Sequence, residues 1–215
     1  LWGLLYIAGD ADGIEGWNDL RGRTIHAIAR GAGPDIMLRH ILRLHGIDPE
    51  TDVTLDYRYG HLELAQLMIA GDVQLGVLPE PFLTTAVTNN ARIRPLLSFQ
   101  EAWREYYNEA YPQTVVVARQ DIVEREPDAV REAMQLIEDG WNAVNDDAQR
   151  AGELVEQTDL GLTSAVVTAA LPRFNARYVP VAEAREAIER YIETLYAEEP
   201  RSVGGSIPDA ALYGQ

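Results

Sequence analysis

The stretch Thr24–Leu55, "TIHAIARGAGPDIMLRHILRLHGIDPETDVTL", decides the fold. Thr24 to Ala29 is a short apolar run with the β-prone residues of a strand. The Gly31–Ala32–Gly33 turn follows it. Pro34 then suits a first helical position, where its missing N–H costs nothing, and Gly46 suits the stop. Met37, Leu38, Ile41, Leu42 and His45 recur at helical spacing and predict a stripe facing a core. Asp52 to Tyr59 resumes as a strand. Strand, glycine-rich turn, helix and strand make a βαβ unit, and such units build parallel sheets.

Working outward, "LWGLLYI" (Leu1–Ile7) reads as a buried strand and "AGDADGIEGWNDLRGR" as a polar loop. Downstream lie the helix "HLELAQLMIAG", the strand "VQLGVL" and a short helix from Pro81 to the stop at Asn89–Asn90. "IRPLLSF" is a further strand. After "QTVVVARQD" the pattern changes and helix follows helix. One helix places Val130, Ala133, Met134, Ile137, Trp141 and Val144 on a single face. The last carries Ile188, Tyr191, Ile192, Leu195 and Tyr196. An α/β half followed by a helical half fits two lobes better than one doubly wound domain.

The 215 residues are 47% hydrophobic, enough for a sizeable core, and no run approaches the ~18 apolar residues of a membrane span. The formal charge is −16, with no basic cluster, so nucleic acid and anionic membranes would be repelled. All 18 basic residues are arginine. Cysteine is absent, which removes thiol catalysis, thiolate metal sites and disulfides. The first residues, "LWGLLYIAG", have neither an initiator Met nor a basic leader, and an apolar strand at the start suggests a missing upstream segment.

The run "WNDLRGRTIHAIARGAGPDIMLRHILRLHGIDPETDVTL" resembles the middle of solute-binding proteins of ABC importers, in the nitrate/sulfonate/taurine and thiamine-precursor group. "LAQLMIAGDVQLGVLPEPFLTTA" is similar to another segment of that group, and "SVGGSIPDAALYG" to the ending of some members. The resemblance implies an α/β, two-lobed type II periplasmic-binding fold whose opening βα units of the first lobe are absent from this chain. It implies hinge strands at residues 1–7 and 113–119, a second lobe at 8–112 and the helical remainder of the first lobe at 120–215. Two departures bear on ligand choice. The turn reads "GAGPD" where sulfonate binders tend to have Ser or Thr, and Gln74 stands where the group often has Asp.

Ligands of open α/β sheets sit at the carboxyl ends of strands, which nominates three places. Gly31, Ala32, Gly33, Pro34 and Asp35 form a turn at a helix N-terminus, where free N–H groups favour an anion. The same turn is also explained by chain geometry alone. Glu80, held between Pro79 and Pro81 and followed by Thr84, would meet a ligand donor or else cap the helix. Tyr57 and Tyr59 share one strand face and could stack on a planar ligand, as could Trp2 and Tyr6 in the hinge strand, or all four could be core. The four histidines lack the spacing of a metal set, and neither a P-loop nor a nucleophile elbow is present.

The expectation is a monomeric solute-binding component of an ABC importer, periplasmic or extracellular and free or lipid-anchored. It would take a small organic molecule between its lobes, without cofactor or catalysis, and deliver it to a membrane permease. The rival is an enzyme on the same fold, of the menaquinone- or thiamine-precursor type. The thiamine-pyrimidine version depends on a Cys-rich motif that this chain lacks.

Overall fold

The computed structural model describes residues 1–10, 12–158 and 160–213. Its strands are β1 (Leu5–Gly9), β2 (Thr24–His26), β3 (Thr54–Asp56), β4 (Leu75–Pro79) and β5 (Arg94–Ser98), joined in one sheet of order β3-β2-β4-β1-β5. The α/β half also holds helices α1 (Gly33–Leu44), α2 (His61–Ala70), α3 (Phe82–Asn89) and α4 (Phe99–Tyr107). The second half is helical, with α5 (Gln120–Arg125), α6 (Pro127–Asp146), α7 (Ala148–Glu156), α8 (Ser164–Phe174) and α9 (Val181–Glu198).

The sheet is mixed, where the βαβ pattern predicts a parallel one. β2 runs parallel to β3 and β4, but β1 is antiparallel to both β4 and β5. Sequence alternation reports crossover helices, and β1 enters without one. Its reversal brings the start of β1 to the end of β4, so the Glu80 N–H donates to the Leu4 carbonyl at 3.1 Å. The β1–β4 approach is close. A Cβ at Gly9 would lie 2.0 Å from the Gln74 carbonyl oxygen, so only glycine fits.

Several predicted strands are shorter than their apolar runs. β1 starts at Leu5 because Gly3 turns at φ 80°, and β2 ends at His26 ahead of left-handed turns at Ala29 and Gly31. Thr114–Ala118 is no strand at all. The N–H groups of Gln113 and Thr114 reach back to the Leu1 carbonyl, the Gln113 side chain accepts the Leu4 N–H at 3.0 Å, and Val115, Val116 and Val117 lie exposed. The two segments read as hinge strands therefore meet around Gln113, at the Leu1 carbonyl and the Leu4 N–H, rather than along a ladder. α4 went unread in the sequence. Its signature is Ser98, whose hydroxyl accepts from the Glu101 N–H at 3.3 Å, with Phe99, Ala102 and Trp103 buried behind it.

The α1 stripe behaves as its spacing predicts, with Met37, Leu38, Ile41 and Leu42 fully buried in the main core beside Ile7, Ile25, Val77 and Trp103. α9 closes on this core through Tyr191, which stacks on Tyr111 at 5.4 Å. Glu198 of α9 meets both His40 and Arg43 of α1. Among the described residues no helix is long and apolar enough to cross a membrane.

Candidate functional site

The carboxyl ends of β2, β3 and β4 lie along one edge of the sheet, and the predicted site residues gather there in two groups. The first group is built on the turn between β2 and α1. Gly31, at φ 75°, donates its N–H to Asp35 Oδ2 at 2.7 Å, and the Ala32 N–H donates to the Ala29 carbonyl at 2.9 Å. No acceptor among the described residues takes the Gly33 N–H, which is the first open amide at the mouth of α1. Pro34 occupies the first turn of the helix, as its residue type predicts.

Asp35 does not point into open space. It is 3% exposed, and its Oδ1 accepts from the Tyr57 hydroxyl at 2.5 Å and from Arg39 Nε at 2.9 Å. Arg39 also donates to the Tyr57 hydroxyl at 3.0 Å and pairs with Glu50. Burial, reinforced by the hydrogen bond to Asp35, pushes the Tyr57 hydroxyl up to about 12. The Arg30 guanidinium covers the Tyr57 ring at 5.3 Å. Tyr59 stands apart from this network, with His26 at 5.6 Å and Arg58 at 5.4 Å over its ring.

The second group sits at the end of β4. The Glu80–Pro81 bond is cis, and Glu80 is 4% exposed. One carboxylate oxygen accepts the Thr84 N–H at 3.1 Å, which caps α3, and the other pairs with Arg173 Nε. Arg173 comes from α8 and donates its Nη2 to the Thr84 hydroxyl as well. The Tyr6 hydroxyl donates to the Arg173 carbonyl at 3.3 Å, and burial, helped by the Glu80 charge, pushes it up to about 12. Glu80 thus caps a helix and grips the helical half at once.

Tyr6, Glu80 and Thr84 are brought together, as are the turn and Tyr57. Trp2 belongs to neither group. It is buried beneath Arg177, whose guanidinium lies 4.7 Å above its ring. Sequence reasoning missed Arg39, Arg173 and Arg177, and read Tyr191 only as part of the apolar face of the last helix. An arginine carries no local sign of its long-range partner. The one available hint was "LPRFN", where Pro172 inside α8 and the left-handed Asn175 mark a constrained helix end. Gly33 faces Tyr191, since a Cβ there would stand 3.4 Å from its hydroxyl. Among the described residues no three His, Asp or Glu side chains converge as metal ligands.

A five-stranded mixed sheet flanked by helices, with polar residues gathered at the strand ends, is the architecture of the type II periplasmic binding proteins. Solved members superpose over nearly the whole chain. An ABC transporter protein from Parabacteroides distasonis is 23% identical at a TM-score of 0.68, over 99% of this chain and 70% of that one. The periplasmic aliphatic sulphonate binding protein SsuA from Escherichia coli is 16% identical at 0.72, over 99% and 71%. The alkanesulfonate-binding protein SsuA from Xanthomonas axonopodis pv. citri, bound to MOPS, is 18% identical at 0.65, over 98% and 68%. Residues 4–151 match the family described as NMT1/THI5 like, and the chain belongs to that family. No curated protein matches it in sequence.

Proposed function

We propose that this protein is the solute-binding component of an ABC importer, holding a small oxyanion of the sulfonate or nitrate class at the sheet edge between its α/β and helical halves. The division into lobes at 8–112 and 120–215, joined by 1–7 and 113–119, is part of this reading. So are a periplasmic location and delivery to a membrane permease. One observation carries the choice of ligand charge. Two buried carboxylates of the edge, Asp35 and Glu80, pair with arginines of the same chain, Arg39 and Arg173, and Asp56 at the end of β3 pairs with Arg58. A chain of net charge −16 thereby presents a neutralised edge with the open Gly33 N–H at a helix N-terminus. The sulfonate-binding proteins among the structural neighbours fit the same ligand class.

Calorimetry with MOPS, taurine, nitrate and a hydroxymethylpyrimidine tests the reading. A sulfonate or nitrate should bind and the neutral pyrimidine should not. Gly33→Ala adds a Cβ in ordinary contact distance of Tyr191, so the fold should tolerate it. The added methyl crowds the open amide, and affinity should fall roughly tenfold, a loss of ~1.4 kcal/mol, at an unchanged melting temperature. Equal affinity in variant and wild type would make the turn purely structural. A chemically altered molecule recovered after incubation would favour the enzyme reading instead.

A further inference from the structure

Away from that edge, the junction of the two halves holds a cavity of about 280 Å3, just under the usual range for drug-sized ligand sites and roomy enough only for a small molecule. Trp2 forms one wall, Arg104 of α4 another, and Asn145, Pro172 and Arg177 of the helical half the rest. No carboxylate lines it. Most arginines of this acidic chain pair with an Asp or Glu, but among the described residues neither Arg104 nor Arg177 has a carboxylate within ion-pair distance. Two uncompensated guanidiniums on one small cavity repel each other and raise its potential.

The cavity is also held in shape. The Arg177 guanidinium carbon sits 4.7 Å from the centre of the Trp2 ring, a cation–π contact that holds the cation over the indole. The segment carrying Arg177 is tied on both sides. Asn145 Nδ2 donates to the Ala176 carbonyl at 2.8 Å, Asn175 Nδ2 to the Gly3 carbonyl at 2.8 Å, and the Trp2 N–H to the Asn175 carbonyl at 3.2 Å. A donor fixed by its backbone loses less entropy on binding.

We infer that Arg104 and Arg177 form a second anion site, which takes a carboxylate or sulfonate of a few carbons against Trp2 and ties α4 to the end of α8. Both arginines are exposed, so glutamine in either position leaves the core untouched. Calorimetry with acetate and methanesulfonate, each titrated at constant ionic strength in chloride buffer, should show binding to the wild type. Arg104→Gln and Arg177→Gln should each weaken it roughly tenfold or more, while Arg131→Gln, a charge-matched change at an exposed helical pair, should not. In a Gly33→Ala background, where the edge site is weakened, the binding that depends on Arg104 and Arg177 should persist, which separates it from the edge site. Trp2→Phe keeps a ring under Arg177 and should retain most of the affinity. Absence of heat in the wild type would overturn the inference. So would equal binding by Arg177→Gln, or a loss that follows Gly33→Ala instead.

Discussion

α1 and α6 are both amphipathic helices, yet they end in different surroundings. Along α1, Ile36, Met37, Leu38, Ile41 and Leu42 are buried against the sheet. α6 is longer and carries the apolar stripe that its sequence promises, but none of its residues is buried, and Leu136 is 66% exposed. The same holds more widely. Among the described residues, the large exposed apolar side chains of the α/β half are Leu62 and Tyr106, whereas the helical half shows Val123, Leu136, Leu154, Leu160, Val181, Ile207 and Leu212, and the joining segment Val115 to Val117. Periodicity makes a helix and chooses its apolar face. What that face gains depends on the surface opposite, because hydrophobic stabilisation scales with area removed from water.

The largest effects should fall on the buried side of this contrast. Leu38→Ala should cost ~2–5 kcal/mol in urea unfolding, through lost transfer energy and the cavity left behind. Leu136→Ala should stay within about 0.5 kcal/mol. Comparable costs would mean that α6 is covered in solution and the contrast would be broken.

The ion pair joining the halves comes next. Arg173→Met leaves the Glu80 carboxylate, 0% exposed, with no cation. The expected loss is about 3 kcal/mol, the low end for a broken buried pair, because Arg173 itself keeps 34% of its side chain exposed. The double change Arg173→Met with Glu80→Gln should recover part of that loss. No recovery would show that the halves are held by packing alone.

The smallest effect concerns pH. Burial, opposed in part by Asp56 and Glu105 respectively, lowers His26 and His45 below their ordinary 6.5. Both lie in the α/β half, and the helical half has no histidine. For a depressed histidine the unfolded chain binds the extra proton. Stability is therefore full above pH 6.5 and falls as pH drops below it. Tyr6, Tyr57 and Tyr191, each pushed up to about 12 chiefly by burial, give the opposite limb. Their contribution is complete below pH 10 and is lost as pH climbs toward 12. His45→Asn should flatten the acid limb of a melting-temperature profile, and Tyr191→Phe the alkaline one. An acid limb untouched by His45→Asn would assign it to other groups.

Local pattern determined much of this protein. The alternation of strand and helix, the α1 stripe, the Pro34 start and the turn at Gly31–Gly33 all stand in the structure as the residue types predict, because each depends on spacing and backbone freedom within a few residues. The resemblance read from "DLRGRTI" and "EPF" agrees with the family match over residues 4–151. Tertiary structure alone decided the rest. It reversed β1 in the sheet, left Thr114–Ala118 without a ladder, and gave Glu80 a partner 93 residues away. The physical reason is the same in each case. A ladder bond or an ion pair is fixed by which distant surface arrives opposite, and one arginine among 18 looks like any other until the chain has folded around it.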